Sequence, residues 1–219
     1  SCVYGACACS DYTSPEPTCP MLDMGATLLI SPQPHRCYSA AEPVVVRVSN
    51  LSMVAINTGN NPVVARSNVA GTNPTDFGFR VLNSGTISSR SWVEVEMSPS
   101  FNMAAPGEYR FNATASVTGD GNLPNDAMTT QVIRYQGGTA AAEPATVCSG
   151  LPVDLSVPDT SLRTSAWMTS TDNGGTWTPV SMEVSTLAPF TIFPTVSALY
   201  RMSSCLDSQP VAVDVTTCP

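Results

Sequence analysis

The sequence predicts an all-β protein, with two tandem β-sandwich domains preceded by a short Cys-rich segment. Three observations predict it. Short runs rich in Val, Ile, Thr, Phe, Tyr and Trp recur between clusters of Gly, Pro, Asn and Asp, as strands do between turns. No window of eleven residues keeps apolar residues at helical spacing without a Pro or Gly breaking it. Near the middle, a stretch of small residues reads as a linker. The predicted boundaries are a Cys-rich linker or tail of a preceding unit at 1–20, a first sandwich at 21–137, a linker at 138–146 and a small second sandwich at 147–219.

Each element has its own signal. Residues 1–20 carry four of the eight cysteines, at Cys2, Cys7, Cys9 and Cys19, in a stretch too short and polar to form a core. In the first sandwich, strands are expected at Ala26–Ile30, Pro43–Val48, Phe77–Leu82, Trp92–Met97, Glu108–Val117 and Ala127–Tyr135. Glu108–Val117 alternates cleanly, with Tyr109, Phe111, Ala113, Ala115 and Val117 on one side. In Trp92–Met97, Val93, Val95 and Met97 form one face while Trp92, Glu94 and Glu96 form the other. The second sandwich is expected to run through Leu151–Val157, Ser165–Ser170, Thr176–Met182, Phe190–Phe193, Ser197–Ser204 and Pro210–Thr216. It is small enough for a disulfide to help it stand.

Charge and cysteine usage restrict the function. Charged residues make up only 12% of the chain, against roughly 25% in ordinary domains. The net charge is −8, lysine is absent, and all nine cations are arginine. That balance excludes a basic nucleic-acid footprint and a polybasic membrane anchor. Apolar runs of about five to seven residues fall far short of the ~20 of a membrane helix, so no membrane insertion is expected. Eight cysteines point to an oxidising compartment and allow 105 pairings. No signal peptide stands at residue 1, which suggests a processed chain or a piece of a longer one. Thr18-Cys19-Pro20 recurs as Thr217-Cys218-Pro219. Both copies lie at a module edge, which suggests head-to-tail repetition.

Candidate chemistry is sparse. The only histidine, His35, lies between prolines and Cys37, with no acid–nucleophile pair to serve. The 2–7–9–19 cysteine spacing lacks the paired knuckles of zinc sites. Glu94 and Glu96 share a strand face roughly 6.5–7 Å apart. That spacing suits paired carboxylates, but a solvated face explains it as well. In Gly119–Asp126, the side chains of Asp120, Asn122 and Asp126 offer oxygens at short spacing, as calcium loops do. The glycine and glutamate of the EF-hand order are missing, and Asn and Asp are ordinary turn formers. Asn50-Leu-Ser52 and Asn112-Ala-Thr114 are formal N-glycosylation acceptors. No catalytic residue, metal or cofactor is expected, and the chain is not expected to be an enzyme. Trp92 is the candidate ligand-contacting aromatic.

Trp167–Trp177 is the most informative stretch. Asn173-Gly174 accepts the positive φ of a tight hairpin turn, and the Asp172 carboxylate can fold back onto nearby N–H groups. Trp167, Asp172, Gly174 and Trp177 are expected to make a structural hairpin, with both indoles in its core. Ser170 to Trp177 fits the S-x-D-x-G-x-T-W Asp box familiar from sialidases. That pattern marks a hairpin closure rather than a reaction.

Residues 147–218 resemble Ig-like modules of secreted cell-surface proteins of Bacteroidota and related bacteria. The resemblance rests on Val147-Cys-Ser-Gly150, the Trp167–Trp177 hairpin and Tyr200-Arg-Met-Ser-Ser-Cys205. It implies a disulfide between Cys148 and Cys205. Residues 25–136 are similar to CARDB or fibronectin-like sandwiches of the same proteins, through Glu42–Asn50, Pro106-Gly-Glu-Tyr-Arg110 and Gly119–Asp126. Together these resemblances imply two tandem Ig-like domains in a secreted, extracellular or cell-surface protein. The implied function is a structural or adhesive module, a repeating unit of an adhesin or filament. Its partners would be other copies of itself or neighbouring repeat domains. The alternative is a carbohydrate-binding accessory module of a secreted hydrolase, with surface glycans as partner.

Overall fold

The computed structural model describes residues 22–162, 164–182, 184–185 and 188–218. Its regular structure is β throughout, apart from one 3₁₀ turn at Leu123–Asn125. The described residues fall into two compact units. One comprises 22–33, 39–103 and 109–133; the other comprises 34–38, 104–108 and 134–218.

Strands β1 (Met24–Ser31), β2 (Glu42–Asn50), β3 (Ile56–Asn57), β4 (Val63–Gly71), β5 (Thr75–Leu82), β6 (Thr86–Ile87), β7 (Trp92–Phe101), β8 (Gly107–Val117) and β9 (Gln131–Tyr135) come first. They form a three-stranded sheet β1-β2-β7, a four-stranded sheet β5-β4-β8-β9 and a small β3-β6 pair, with β1–β2, β2–β7, β3–β6, β4–β5 and β4–β8 antiparallel. The period-two alternation decides which side chains go inside. Val44, Val46 and Val48 of β2 are buried, as are Val63, Ala65 and Val69 of β4 and the odd-numbered residues Tyr109 to Val117 of β8. Phe101 sits edge-on to Phe77, Tyr109 and Phe111 at centroid distances of 5.3, 6.0 and 6.0 Å, an arrangement aromatic rings favour.

The expected strands of this part appear, but β4 was not among them. It lies in the centre of its sheet between β5 and β8. Its signal is present in Val63, Ala65, Ser67 and Val69, all buried. Arg66, Asn68 and the surrounding Gly/Asn clusters mask it as a loop.

The second set is β10 (Ala141–Glu143), β11 (Thr146–Cys148), β12 (Val153–Ser156), β13 (Thr164–Ser170), β14 (Thr178–Pro179), β15 (Val184–Ser185), β16 (Phe190–Ile192), β17 (Ala198–Ser203) and β18 (Val211–Thr216). One sheet is β10-β12-β16; the other runs β11-β18-β17-β13-β14, with β15 also on β13. Their inner faces supply one core: Val153, Leu155 and Ile192 from the first sheet, and Trp167, Tyr200, Met202 and Val213 from the second. Both parts are therefore β-sandwiches in the sense of facing sheets around an apolar interior.

The segment 138–146 is not the expected linker. It contains β10, paired with β12, and Ala140 is buried and donates to the Gln209 carbonyl at 2.9 Å. The glycines before it serve close approach rather than flexibility. A Cβ on Gly137 would stand 2.1 Å from the Asp207 carbonyl oxygen, and one on Gly138 2.6 Å from Val157. The predicted domain limits shift for a related reason, because 34–38 and 104–108 belong to the second unit. The Cys-rich segment 1–20 lies outside the described residues.

One buried polar residue organises the loops after β2. Asn50 is almost fully buried. Its Nδ2 donates to the carbonyls of Val54, Ile87 and Ser88 at 2.8–3.1 Å, and its Oδ1 accepts from Ser52 N and Oγ. The first sequon asparagine is thus a structural clasp. Replacing Asn50 by Ala strands several buried groups and should cost about 3 kcal/mol or more. Urea titration of both proteins measures this, and a loss below about 1 kcal/mol would contradict the clasp.

Candidate functional site

The Asp-box hairpin forms as expected in outline. Strands β13 and β14 pair antiparallel through Met168↔Pro179 and Thr169↔Thr178, and Val180 N donates to Trp167 O at 2.8 Å. Asn173 and Gly174 have φ of 57° and 89°, the left-handed region that the first tolerates and the second prefers. The Asp172 carboxylate closes the loop. Its Oδ1 accepts from Thr176 N and Ser170 Oγ at 2.8 and 2.7 Å, and its Oδ2 accepts from Thr176 Oγ1 at 2.7 Å. Ser170 Oγ in turn accepts from Gly174 N at 2.8 Å. The Thr176 N–H first, then the Ser170 and Thr176 hydroxyls, hold the Asp172 carboxyl well below the usual carboxylate range.

The two indoles differ. Trp167 is fully buried in the core. Trp177 is only half-buried and lies just before β14, with the Arg201 guanidinium 4.2 Å over its ring. Arg201 also forms an ion pair with Asp207 at 2.9 Å. The expectation of two core tryptophans holds for one, because the return strand starts a residue after Trp177.

Cysteine pairing departs from the family-based expectation. Cys148 bonds Cys218, and Cys205 bonds Cys37, each with a Cα–Cα distance of 5.6 Å. The predicted Cys148–Cys205 bridge is therefore overturned. The reason is strand order. β11 runs parallel to β18 with Cys148 opposite Thr216, which puts Cys148 beside Cys218. Cys205 follows β17 in a loop, where the 34–38 segment meets it. His35 helps hold that segment by donating from Nδ1 to the Ser161 carbonyl at 2.9 Å. His35 thus has an anchoring contact.

The remaining candidates stay apart. Glu94, Glu96 and Trp92 project from the exposed face of β7, as their parity predicts. Trp92 is 47% exposed, and the Arg47 guanidinium lies 4.0 Å over its ring. A shallow hollow of about 210 Å³ on the β5-β4-β8 sheet is lined by Arg66, Asn68, Asp76 and Asn112. There the second sequon asparagine, Asn112, donates to Asn68 Oδ1 at 3.0 Å and accepts from Thr130 at 2.7 Å.

In the acidic turn, Asp120 is a closing residue. Its Oδ2 accepts from Met24 N and its Oδ1 from Asn122 N, both at 2.9 Å. Asn122 is exposed and contributes its backbone. Asp126 is half-buried, and burial first, then the charges of Asp120 and Asp23, push its carboxyl above the usual range. The sequence reading missed Asp23 and Asn125 here. Asp23 stands about a hundred residues away in the chain, and Asn125 sits beside Asp126 within the very motif that was singled out. No protein-family model matches the chain, and no curated protein matches it.

The depressed Asp172 carboxyl makes a pH prediction. A lowered folded-state value contributes stability above the unfolded value near 3.8, and that contribution is lost as pH falls toward the folded value. Asp172→Ala should melt below the wild type at neutral pH, and the gap should narrow steadily below about pH 4. Melting curves from pH 7 to pH 2 test this, and a gap that stays constant with pH would show that the carboxylate charge is not what closes the loop.

Proposed function

We propose that this chain is an extracellular structural module, a repeating unit of a surface adhesin or filament that acts through protein–protein contacts without catalysis. Ig-like sandwiches of secreted bacterial surface proteins are the resemblance behind this reading. The observation that carries it is the covalent path through the chain. Cys37–Cys205 shunts every residue from 38 to 204, and Cys148–Cys218 shunts those from 149 to 217. Tension applied ahead of Cys37 and behind Cys218 therefore travels through the flank that carries β1, the Cys37–Cys205 bridge and the stretch from Cys205 to Cys218 that carries β18, leaving the strands from β2 to β17 outside the load. The parallel pairing of β11 with β18 adds to this, since drawing β18 out along its axis shears their hydrogen bonds together. A module placed in a tensed tandem chain benefits from such a bypass, in addition to the stability that the crosslinks give any domain.

Edges and surface fit the same reading. β5 ends its sheet with Phe79 and Val81 exposed, which suits strand-edge contacts with another copy. The glycan alternative depends on Trp92, and Arg47 already lies over that ring. No helix among the described residues is long and apolar enough to cross a membrane.

Single-molecule pulling with handles at the two ends tests the load path. The oxidised chain should extend by only ~100 Å between residues 22 and 218, and the reduced chain by roughly 650–700 Å. The pair Cys37→Ser, Cys205→Ser should release an intermediate length, with 149–217 still locked. Equal extension of oxidised and reduced protein would overturn the load-bearing reading. A specific hit on a glycan array, lost in Trp92→Ala, would replace it with the carbohydrate-binding one.

A further inference from the structure

We propose that Asn173 is a deamidation site that the Asp-box network holds shut, and that it converts to aspartate and isoaspartate once the loop opens. Asn173-Gly174 is the only Asn-Gly pair in the chain. Asparagine is one of the thermally labile residues. In an Asn-Gly pair the backbone nitrogen that follows it is unshielded, because glycine has no Cβ. The turn needs this pair for its backbone, since Asn173 and Gly174 take φ of 57° and 89°. Crowding is not what selects the glycine: a Cβ on Gly174 would meet Trp177 and Leu199 only at 3.8 and 3.9 Å.

The reaction consumes only water. The Gly174 nitrogen gives its proton to solvent and attacks Asn173 Cγ. The N–Cγ bond forms, the Cγ–Nδ2 bond breaks, and Nδ2 takes up a proton and leaves as ammonia. Water then opens the cyclic imide. Opening at Cγ gives aspartate. Opening at the main-chain carbonyl of residue 173 gives isoaspartate, with the chain rerouted through Cβ and Cγ. No oxidant or reductant takes part.

One reacting group is free and the other is held. Asn173 is exposed, and its side chain makes no hydrogen bond among the described residues. Gly174 N, the attacking atom, is half-buried and donates to Ser170 Oγ at 2.8 Å. That hydroxyl donates in turn to Asp172 Oδ1 at 2.7 Å, which leaves a lone pair for the Gly174 N–H. Asp172 is itself fixed by Thr176 N and Oγ1, and Gly175 N donates to the Asp172 carbonyl at 3.3 Å. Attack on Cγ therefore requires the Gly174–Ser170 bond to break first, through a local opening of the loop. The one Asp-Gly pair, Asp120-Gly121, is held in the same way, with Gly121 N donating to Leu22 O at 2.9 Å. Conversion at residue 173 would add a negative charge beside Asp172, and the isoaspartate link would lengthen the turn, so either product loosens the hairpin. This proposal is independent of the load-bearing reading.

Peptide mass spectrometry of the whole chain, aged in mildly alkaline buffer, tests it. The reference is the reduced chain unfolded in guanidinium chloride. Folded protein should keep Asn173 long after the unfolded chain has converted it. Ser170→Ala removes the acceptor and should speed conversion in the folded state about tenfold, the rate equivalent of one hydrogen bond to the attacking nitrogen. Leu155→Ala weakens the core of the same sandwich without touching the loop, and should convert near the wild-type rate. If Ser170→Ala does not fold, the comparison of folded with unfolded wild type still decides. Conversion in the folded wild type as fast as in the unfolded chain would overturn the proposal. So would a folded Ser170→Ala no faster than wild type, or a Leu155→Ala equally accelerated.

Discussion

The crosslink between Cys37 and Cys205 spans 168 residues and constrains the unfolded chain more than any other described contact. On the loop-entropy account, closing a loop of that size is worth about 5 kcal/mol, and the 70-residue Cys148–Cys218 loop about 4 kcal/mol. The loops overlap, so their joint effect is less than the sum. Even so, either value is a large fraction of an ordinary domain's net stability of about 5–15 kcal/mol. The second sandwich needs such help. Its sheets include strands of only two or three residues, and its core holds two large rings, Trp167 and Tyr200, among smaller side chains. The crosslinks also explain why residues 34–38 fall with the second unit while their neighbours on both sides fall with the first.

Scarce charge leaves the loops to be held by neutral hydrogen bonds and by a few carboxylates with specific partners. Asn50 gathers three carbonyls on one amide. Asp172 gathers one N–H and two hydroxyls. Asp120 joins its own turn to the start of β1. In each case a short polar side chain does for a loop what ladder hydrogen bonds do for a strand. The arginines act largely as flat covers, with Arg47 on Trp92, Arg66 on Phe79 and Arg201 on Trp177.

Much of the fold was legible from parity. Trp92–Met97 and Glu108–Val117 place their buried and exposed faces where alternation requires. β4 was harder to see, because its outward Arg66 and Asn68 are flanked by turn-forming residues and its inward Ser67 interrupts the apolar pattern. The Gly137-Gly138 pair was misleading in the opposite direction. Composition cannot tell a flexible glycine from one that lets two backbones meet. The candidate site was half legible: Asp120 and Asp126 stand in a visible motif, but Asp23 joins them only through folding.

The sequence by itself determined the all-β class, the inward and outward faces of most strands, and the Asn173-Gly174 turn. These depend on local sterics and on a two-residue period that any short stretch displays. Only the tertiary structure decided which cysteines pair, that β11 lies parallel to the last strand, and that Asp23 meets Asn125 and Asp126. Those outcomes depend on the order of strands in a sheet and on close approaches between distant segments, to which local residue preferences are blind. The Asp-box hairpin shows both levels in one place. Its turn is written in Asp172, Asn173 and Gly174, while the cover over Trp177 comes from Arg201 on another strand.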